Sequence, residues 1–260
     1  MTFTRVGKRT VLRHAFSTSP LKLLNPQNHS AAWVYLASYG GGLVGGDALR
    51  IDIDVERGAA AVISTQASTK VYRSPQGASQ QVRAEVANDA LLVLAPDPVV
   101  CFARSSYAQD VEIRLAERGA LVLVDWLGAG RVASGERWQL DHFSSVTQIW
   151  CGPRRLLYDS LRLTPEDGDV AQRMGRFNTL LTVVIGGPPL GAHASRVLQE
   201  VAAMPLEKRS DLLVSANPLG EGALLLRIAA VSTERAGQTL RRMLAFLPPQ
   251  LGDDPWSRKW

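Results

Sequence analysis

Apolar and polar residues alternate strictly in three stretches of the first half of the chain. Leu49, Ile51, Ile53 and Val55 alternate with Arg50, Asp52, Asp54 and Glu56. Val82, Ala84 and Val86 repeat the pattern, and so do Val111, Ile113 and Leu115. A period of two marks a strand with one buried and one wet face. Each run leads into a polar turn: Glu56-Arg57-Gly58, Asn88-Asp89 or Glu117-Arg118-Gly119. Each turn is followed by a continuous apolar run, over 59–63, 90–95 and 120–124, as expected of a strand covered on both faces. The alternating runs are offset by 31 and then 29 residues. A unit of about 30 residues therefore recurs three times, which predicts stacked rungs around a shared interior. Three unrelated hairpins in a sandwich would leave the same local pattern.

Beyond Pro165 the texture changes. Residues 180–185 read as a buried strand ended by Gly186-Gly187-Pro188-Pro189. Ala194, Val197, Leu198, Val201 and Ala202 predict a helix over 192–204. Strands are expected over 212–215 and 223–231, separated by a turn-rich 217–222. A second helix is expected over 233–247, capped by Ser232 or Thr233, with Leu240, Met243, Leu244 and Leu247 as its apolar face. From Pro248 on, a loose tail is expected. The fold class is mainly β: a β-helix-like or solenoid-like body over 1–165. A small α+β layer with about two helices, over 166–260, packs on it to make one compact unit.

Composition narrows the function classes. Of 260 residues, 46% are hydrophobic and 20% charged, which is globular and argues against disorder. The net charge of +5 is scattered, with no basic stripe interleaved with aromatics, so nucleic acid is not an expected partner. An acidic protein partner is compatible with this charge. Cys101 and Cys151 form neither a CxxC pair nor a disulfide framework, which fits a reducing cytoplasm. The start lacks a signal segment, so it is expected to be the mature one, and no apolar run is long enough to span a membrane.

Four segments stand out chemically. The first is Gly40-Gly41-Gly42-Leu43-Val44-Gly45-Gly46-Asp47, which lacks the spacing of a P-loop or a Rossmann turn. It reads as a tight corner whose backbone Asp47 bonds. The second, Ser64-Thr65-Gln66-Ala67-Ser68-Thr69-Lys70-Val71-Tyr72-Arg73-Ser74, is too polar for core and reads as the lining of a groove, channel or interface, or as a plain polar loop. The third, Pro96-Asp97-Pro98, is a rigid turn presenting Asp97, with Cys101 beyond it as inert packing. The fourth, 128–138, sets Glu136 between Arg131 and Arg137, as a binding spot or a surface ion cluster. His14, His29, His142 and His193 show no ligand spacing, so no dedicated metal cage is written here.

Together these segments resemble the urease accessory protein UreD (UreH) family. Ser19-Pro20-Leu21-Lys22-Leu23-Leu24-Asn25-Pro26, Ala32-Trp33-Val34-Tyr35 and Leu156-Leu157-Tyr158-Asp159-Ser160-Leu161-Arg162-Leu163 add to the likeness. It runs in matching order over roughly residues 5–190, and the stretch from Gln66 to Ser74 is its most specific part. The resemblance implies a non-enzymatic maturation scaffold with a β-helix-like fold. It implies binding to UreF, through UreF to UreG, and docking on apo-urease, with a dimer of complexes formed through UreF. It further implies a polar passage for nickel(II) in transit, with no tightly bound cofactor.

On that reading the motif, partner-binding or lining residues are Gly42, Gly45, Gly46, Asp47, Gln66, Ser68, Thr69, Lys70, Tyr72, Arg73, Asp97, Arg131 and Glu136. Asp47, Asp97 and Glu136 are the candidates for transient nickel contact. Oxygen donors suit delivery, because a complete His/Cys set would retain nickel. Two departures are visible: Ser106 stands where Arg is expected, and Pro255-Trp256-Ser257-Arg258-Lys259-Trp260 matches the family ending only loosely. The competing reading is a β-solenoid carbohydrate-active enzyme that uses groove carboxylates such as Asp97, Asp125 and Glu136.

Overall fold

The computed structural model describes residues 1–27, 30–205, 207–220 and 222–257. His29, Glu221 and the last three residues lie outside the described residues. The chain opens with β1 (Thr2–Val6), β2 (Arg9–His14), β3 (Leu21–Leu24) and β4 (Ala32–Ser38). Three rungs follow. The first holds β5 (Ala48–Val55), β6 (Ala60–Thr65) and β7 (Thr69–Val71). The second holds β8 (Ala78–Val86), β9 (Leu91–Leu94) and β10 (Val99–Cys101). The third holds β11 (Ser106–Leu115) and β12 (Ala120–Gly128). The body closes with β13 (His142–Cys151) and β14 (Arg154–Leu163).

Each rung gives one strand to each of two sheets. The first sheet has the order β14-β13-β11-β8-β5-β1-β2, in which β5, β8, β11 and β13 run parallel. Ile51 pairs with Val82 and Val82 with Val111, so the offsets of 31 and 29 residues are the strand register itself. In the second sheet β4, β6, β9 and β12 run parallel, while β7 and β10 form a short strip beside the end of β12. The turns between sheets also stack. The Asp89 carboxylate accepts from Arg118 at 2.8 Å and from Arg57 at 3.3 Å, and these guanidinium groups, Arg118 foremost, hold it down at about 2.

The chain beyond residue 165 continues the second sheet. After α1 (Val170–Arg173) comes β15 (Thr179–Gly186), antiparallel to β12. Then follow α2 (Gly191–Ala202), β16 (Leu212–Pro218) and β17 (Leu224–Ala230), giving the order β16-β17-β15-β12-β9-β6-β4-β3. α3 (Thr233–Met243) and α4 (Leu247–Leu251) complete the chain. Ser232 Oγ accepts from Arg235 N–H at 3.1 Å, the expected cap of α3.

This layering explains the continuous apolar runs. Ala61, Ile63, Leu92, Leu94, Leu121 and Leu123 face the first sheet, while Val62, Val93, Val122 and Val124 face the helical layer. A sheet covered on both sides has no wet face to encode. The expected loose tail from Pro248 is overturned. Leu247 and Leu251, four apart, are fully buried, and Pro248-Pro249 sit in the first turn, where a missing N–H costs no helical bond. No helix among the described residues is long and apolar enough to cross a membrane.

Candidate functional site

Parallel strands put their C-terminal ends on one edge of a sheet. The ends of β4, β6, β9 and β12 therefore gather the glycine corner, the 66–69 loop, Pro96-Asp97-Pro98 and the 128–138 segment along one margin of the body. The glycine corner lies on the polar loop. Leu43 N–H donates to Lys70 O at 2.7 Å and Tyr72 N–H to Leu43 O at 2.9 Å, a bridge of strand type between Leu43 and Val71. A Cβ on Gly42 would meet Lys70 O at 2.6 Å, and one on Gly45 would meet Ser74 Oγ at 1.6 Å. Only glycine allows this approach. Gly42→Ala should therefore lower the unfolding free energy by about 2–4 kcal/mol, read as an earlier urea midpoint.

Around this corner the predicted residues divide. Asp47 Oδ2 accepts from Val44 N–H at 2.8 Å, which closes its own turn. Gln66, Lys70 and Arg73 are exposed; Ser68, Thr69 and Tyr72 are half-buried. The Tyr72 ring meets Phe102 edge-on at 5.3 Å, and the Arg131 guanidinium lies over Phe102 at 4.6 Å. Arg131 also pairs with Glu136, whose Oε2 accepts from Ala103 N–H at 3.1 Å. The Arg131 bond foremost, and the Ala103 amide next, hold the Glu136 carboxyl below its usual range. Arg137 binds Asn178 Oδ1 at 2.5 Å, Phe177 O at 3.0 Å, and the carbonyls of Ala171 and Gly175. Trp138 Nε1 donates to Phe177 O at 2.8 Å. The 131–138 motif thus clamps loops and ties the C-terminal layer to the body. Burial pushes the Cys101 thiol up to about 12, so it is inert packing, as expected.

The interior between the sheets is interrupted. One apolar core holds Ile53, Val55, Ala84, Val86, Ile113 and Leu115. A second holds Leu43, Val71, Val99, Tyr107, Trp138 and Phe143. Between them lies a polar seam. On the first sheet, Gln80 pairs in register with Gln109 and Gln109 with Ser145; the next inward positions are Thr147 and, beside it, Asp159. On the second sheet, Asp125 pairs in register with Thr182 and Thr182 with Arg227. Gln109 Nε2 donates to Ser145 Oγ at 3.1 Å, and Ser145 Oγ donates to Asp125 Oδ2 at 3.0 Å. Arg227 crosses the gap to Asp159 at 2.6 Å.

Asp125 lies deep in the molecule yet keeps some accessible surface, because it borders an internal cavity of about 40 Å³. Thr65, Thr69, Gln80, Asp97 and Gln109 also line this space, with apolar walls from Ile51, Val82, Leu94, Val111 and Leu123, and its volume would admit roughly two or three waters. It shares Thr65, Thr69 and Gln80 with a cavity of 100 Å³ under the glycine corner. It shares Asp97 and Trp126 with a cavity of 360 Å³ beneath α3. Burial pushes the Asp125 carboxyl above its ordinary value; the Gln109 and Ser145 bonds oppose this, and nearby Asp159 adds to it.

Of the three acids expected at a lining, Asp97 borders this cavity, while Asp47 and Glu136 are bonded into the loops around its margin. The seam itself, from Gln80 to Arg227, escaped the sequence reading. Its signal was present: superposing the rungs aligns Gln80 with Gln109 at inward positions otherwise apolar, and Asp125 interrupts the apolar run of β12.

The whole chain, residues 1–260, matches the family model described as UreD urease accessory protein. The chain belongs to this family. Its relatives include a urease accessory protein UreD of Sorangium cellulosum, 52% identical over all of this chain and 83% of that one. A UreD of Anaeromyxobacter sp. is 40% identical over 98% of this chain and 86% of its own. Urease accessory protein D of Arabidopsis thaliana is 32% identical over 97% of both. As a member of the UreD family the chain serves urease maturation, and accessory proteins of this kind fit a non-enzyme role. The stacked-strand body is thus a UreD scaffold, and the polar seam is a feature of a protein that assists another enzyme.

Proposed function

We propose that this protein is a maturation scaffold that passes nickel(II) to apo-urease along the polar seam. It docks on apo-urease with UreF and, through UreF, UreG, in the cytoplasm. The observation that carries this reading is the break in the core. Placing Gln109, Ser145, Thr147 and Asp125 between two apolar layers costs free energy that a continuous leucine core would not. A layer that opposes folding is kept for what it does.

The seam offers the carboxylates of Asp125 and Asp159, amides and hydroxyls as oxygen donors, with the Arg227 guanidinium paired to Asp159. Such a set holds a divalent nickel ion weakly and releases it. Asp125, held toward its neutral form by burial, gives up its proton when the cation arrives and takes one back when it leaves. Asp97 lines both the inner cavity and the space beneath α3, and on this reading it accepts the ion at one end. Asp47 and Glu136 act at the margin, where they fix the loops that frame the opening.

The test is maturation of urease co-expressed with its other accessory proteins, with and without this chain. Omission should leave urease nickel-poor and inactive; equal nickel content in both arms defeats the proposal. A pH dependence follows as well. Because the Asp125 pKa is raised in the native state, the folded protein holds that proton longer than the unfolded chain does. Stability is therefore lost as pH rises from the ordinary carboxylate range through the raised value. Asp125→Asn should be at least as thermostable as the parent at pH 7, and its melting temperature should fall less between pH 4 and pH 8.

A further inference from the structure

The polar seam runs out to one side of the body. On the second sheet it is carried by a row of paired residues: Asp125, Thr182, Arg227 and Ser215. Leu123, Val184 and Leu225, each two residues from a member of this row, pack toward the first sheet, so the row faces the same way. Exposure rises along it: Asp125 and Thr182 are half-buried, while Arg227 and Ser215 are exposed. On the first sheet the seam passes from Thr147 to Asp159 of β14, the last strand on that side. β17 lies opposite β14, as the contact between Arg227 and Asp159 shows. The second sheet has one strand more, β16, and among the described residues no strand of the first sheet faces it. Its Leu213 is accordingly 46% exposed.

Two different contacts close this side. Leu157 and Leu225 are buried in the inter-sheet core, and beside them Arg154 donates to Leu219 O at 3.4 Å. Two residues further along both strands the closure is ionic. There Arg227 meets Asp159 at 2.6 Å, with side chains 50% and 23% exposed. A second leucine pair would seal the gap for good. An ion pair seals it reversibly, because a half-exposed guanidinium that leaves its partner is solvated at once.

We propose that this pair is a gate: the seam has a lateral mouth between β14 and β17, and Arg227 holds it shut by covering Asp159. A divalent cation that leaves by this mouth takes Asp159 from the guanidinium, since it sets two positive charges against one and the freed side chain swings into water. The gate is a property of this chain alone. Its use by nickel rests on the function proposed above.

The test is the rate at which a neutral thiol reagent, iodoacetamide, modifies a cysteine placed at position 182, just inside the gate. The full chain carries Thr182→Cys, and peptide mass analysis separates this site from Cys101 and Cys151. Cys101, buried in the other core, reports any global opening in the same sample. Arg227→Met in this background should speed modification at least about tenfold while Cys101 stays unmodified. Exchanging the partners, Arg227→Asp with Asp159→Arg, should slow it again. Added salt should speed the reaction where the pair is intact, and this arm decides the matter if Arg227→Met does not fold. Equal rates with and without Arg227, rates that ignore salt, or an acceleration shared by Cys101 overturn the gate. The nickel content of urease matured with Asp159→Asn is read separately. A normal content beside the tenfold acceleration would sink the nickel reading and leave the gate standing.

Discussion

Asp125→Asn should cut the nickel delivered to urease at least about tenfold while leaving the protein folded. The substitution keeps the shape of the side chain and its place beside Ser145 and Gln109, so the seam keeps its space. It removes the one group in the inner cavity, apart from Asp97, that can carry a negative charge opposite a cation. Loss of one charge-assisted contact of roughly 1.5–3 kcal/mol corresponds to about ten- to a hundredfold in occupancy. The measurement is the nickel content of urease purified after co-expression, beside the melting temperature of the variant. Low nickel with an undiminished melting temperature separates a role in transfer from a role in folding. Low nickel with an unfolded variant would reassign Asp125 to the framework.

Arg137→Ala should lower stability by about 3 kcal/mol, the largest loss expected from a partly exposed side chain here. Arg137 holds Asn178 Oδ1 and three main-chain carbonyls in one fork, and these belong to α1 and to the connection from it into β15. Removing the fork leaves those acceptors to water and loosens the seat of Trp138 on Phe177. For a chain of this size that is a fall in melting temperature of roughly 6–12 °C. Arg137→Lys should recover little, because an ammonium cannot serve four acceptors in one plane. Hydrogen exchange should rise first in the 171–178 segment. Full recovery by lysine would mean that charge alone matters at this position.

What the chain discloses about itself follows from which forces are local. The rungs are legible because a half-buried strand imposes its period on consecutive residues, and Ile51, Val82 and Val111 mark the register. The helices are legible for the same reason, at 3.6 residues per turn. That β15 joins β12, so that the second sheet runs on beyond residue 165, is a contact between distant segments. Nothing in the run from Leu180 to Ile185 names its neighbour.

Leu251 falls in the expected loose tail because Pro248 and Pro249 suggest a break, although its spacing of four from Leu247 belongs to a helix. The seam was hidden more deeply. Gln80 and Gln109 are the third and fourth residues of their strands, just before the apolar alternation begins, and each alone reads as lying near a strand end. Asp125 closes an apolar run and by itself reads as a groove carboxylate. Their meaning lies in the stacking of rungs, which places Gln80, Gln109 and Ser145 in one line opposite Asp125. Asp47 and Glu136 carried the right chemistry in conspicuous motifs, and there the motif serves the turn.

The most direct measurement fills the seam without disturbing the scaffold. Gln109→Leu, Ser145→Val and Asp125→Leu together would join the two inter-sheet cores into one apolar interior, with a stability equal to or above that of the parent. Urease matured with this variant, in the presence of the other accessory proteins, should contain less than about a tenth of the normal nickel although the variant still co-purifies with the assembly. Normal nickel content in urease made with the filled seam would show that the metal travels by another route.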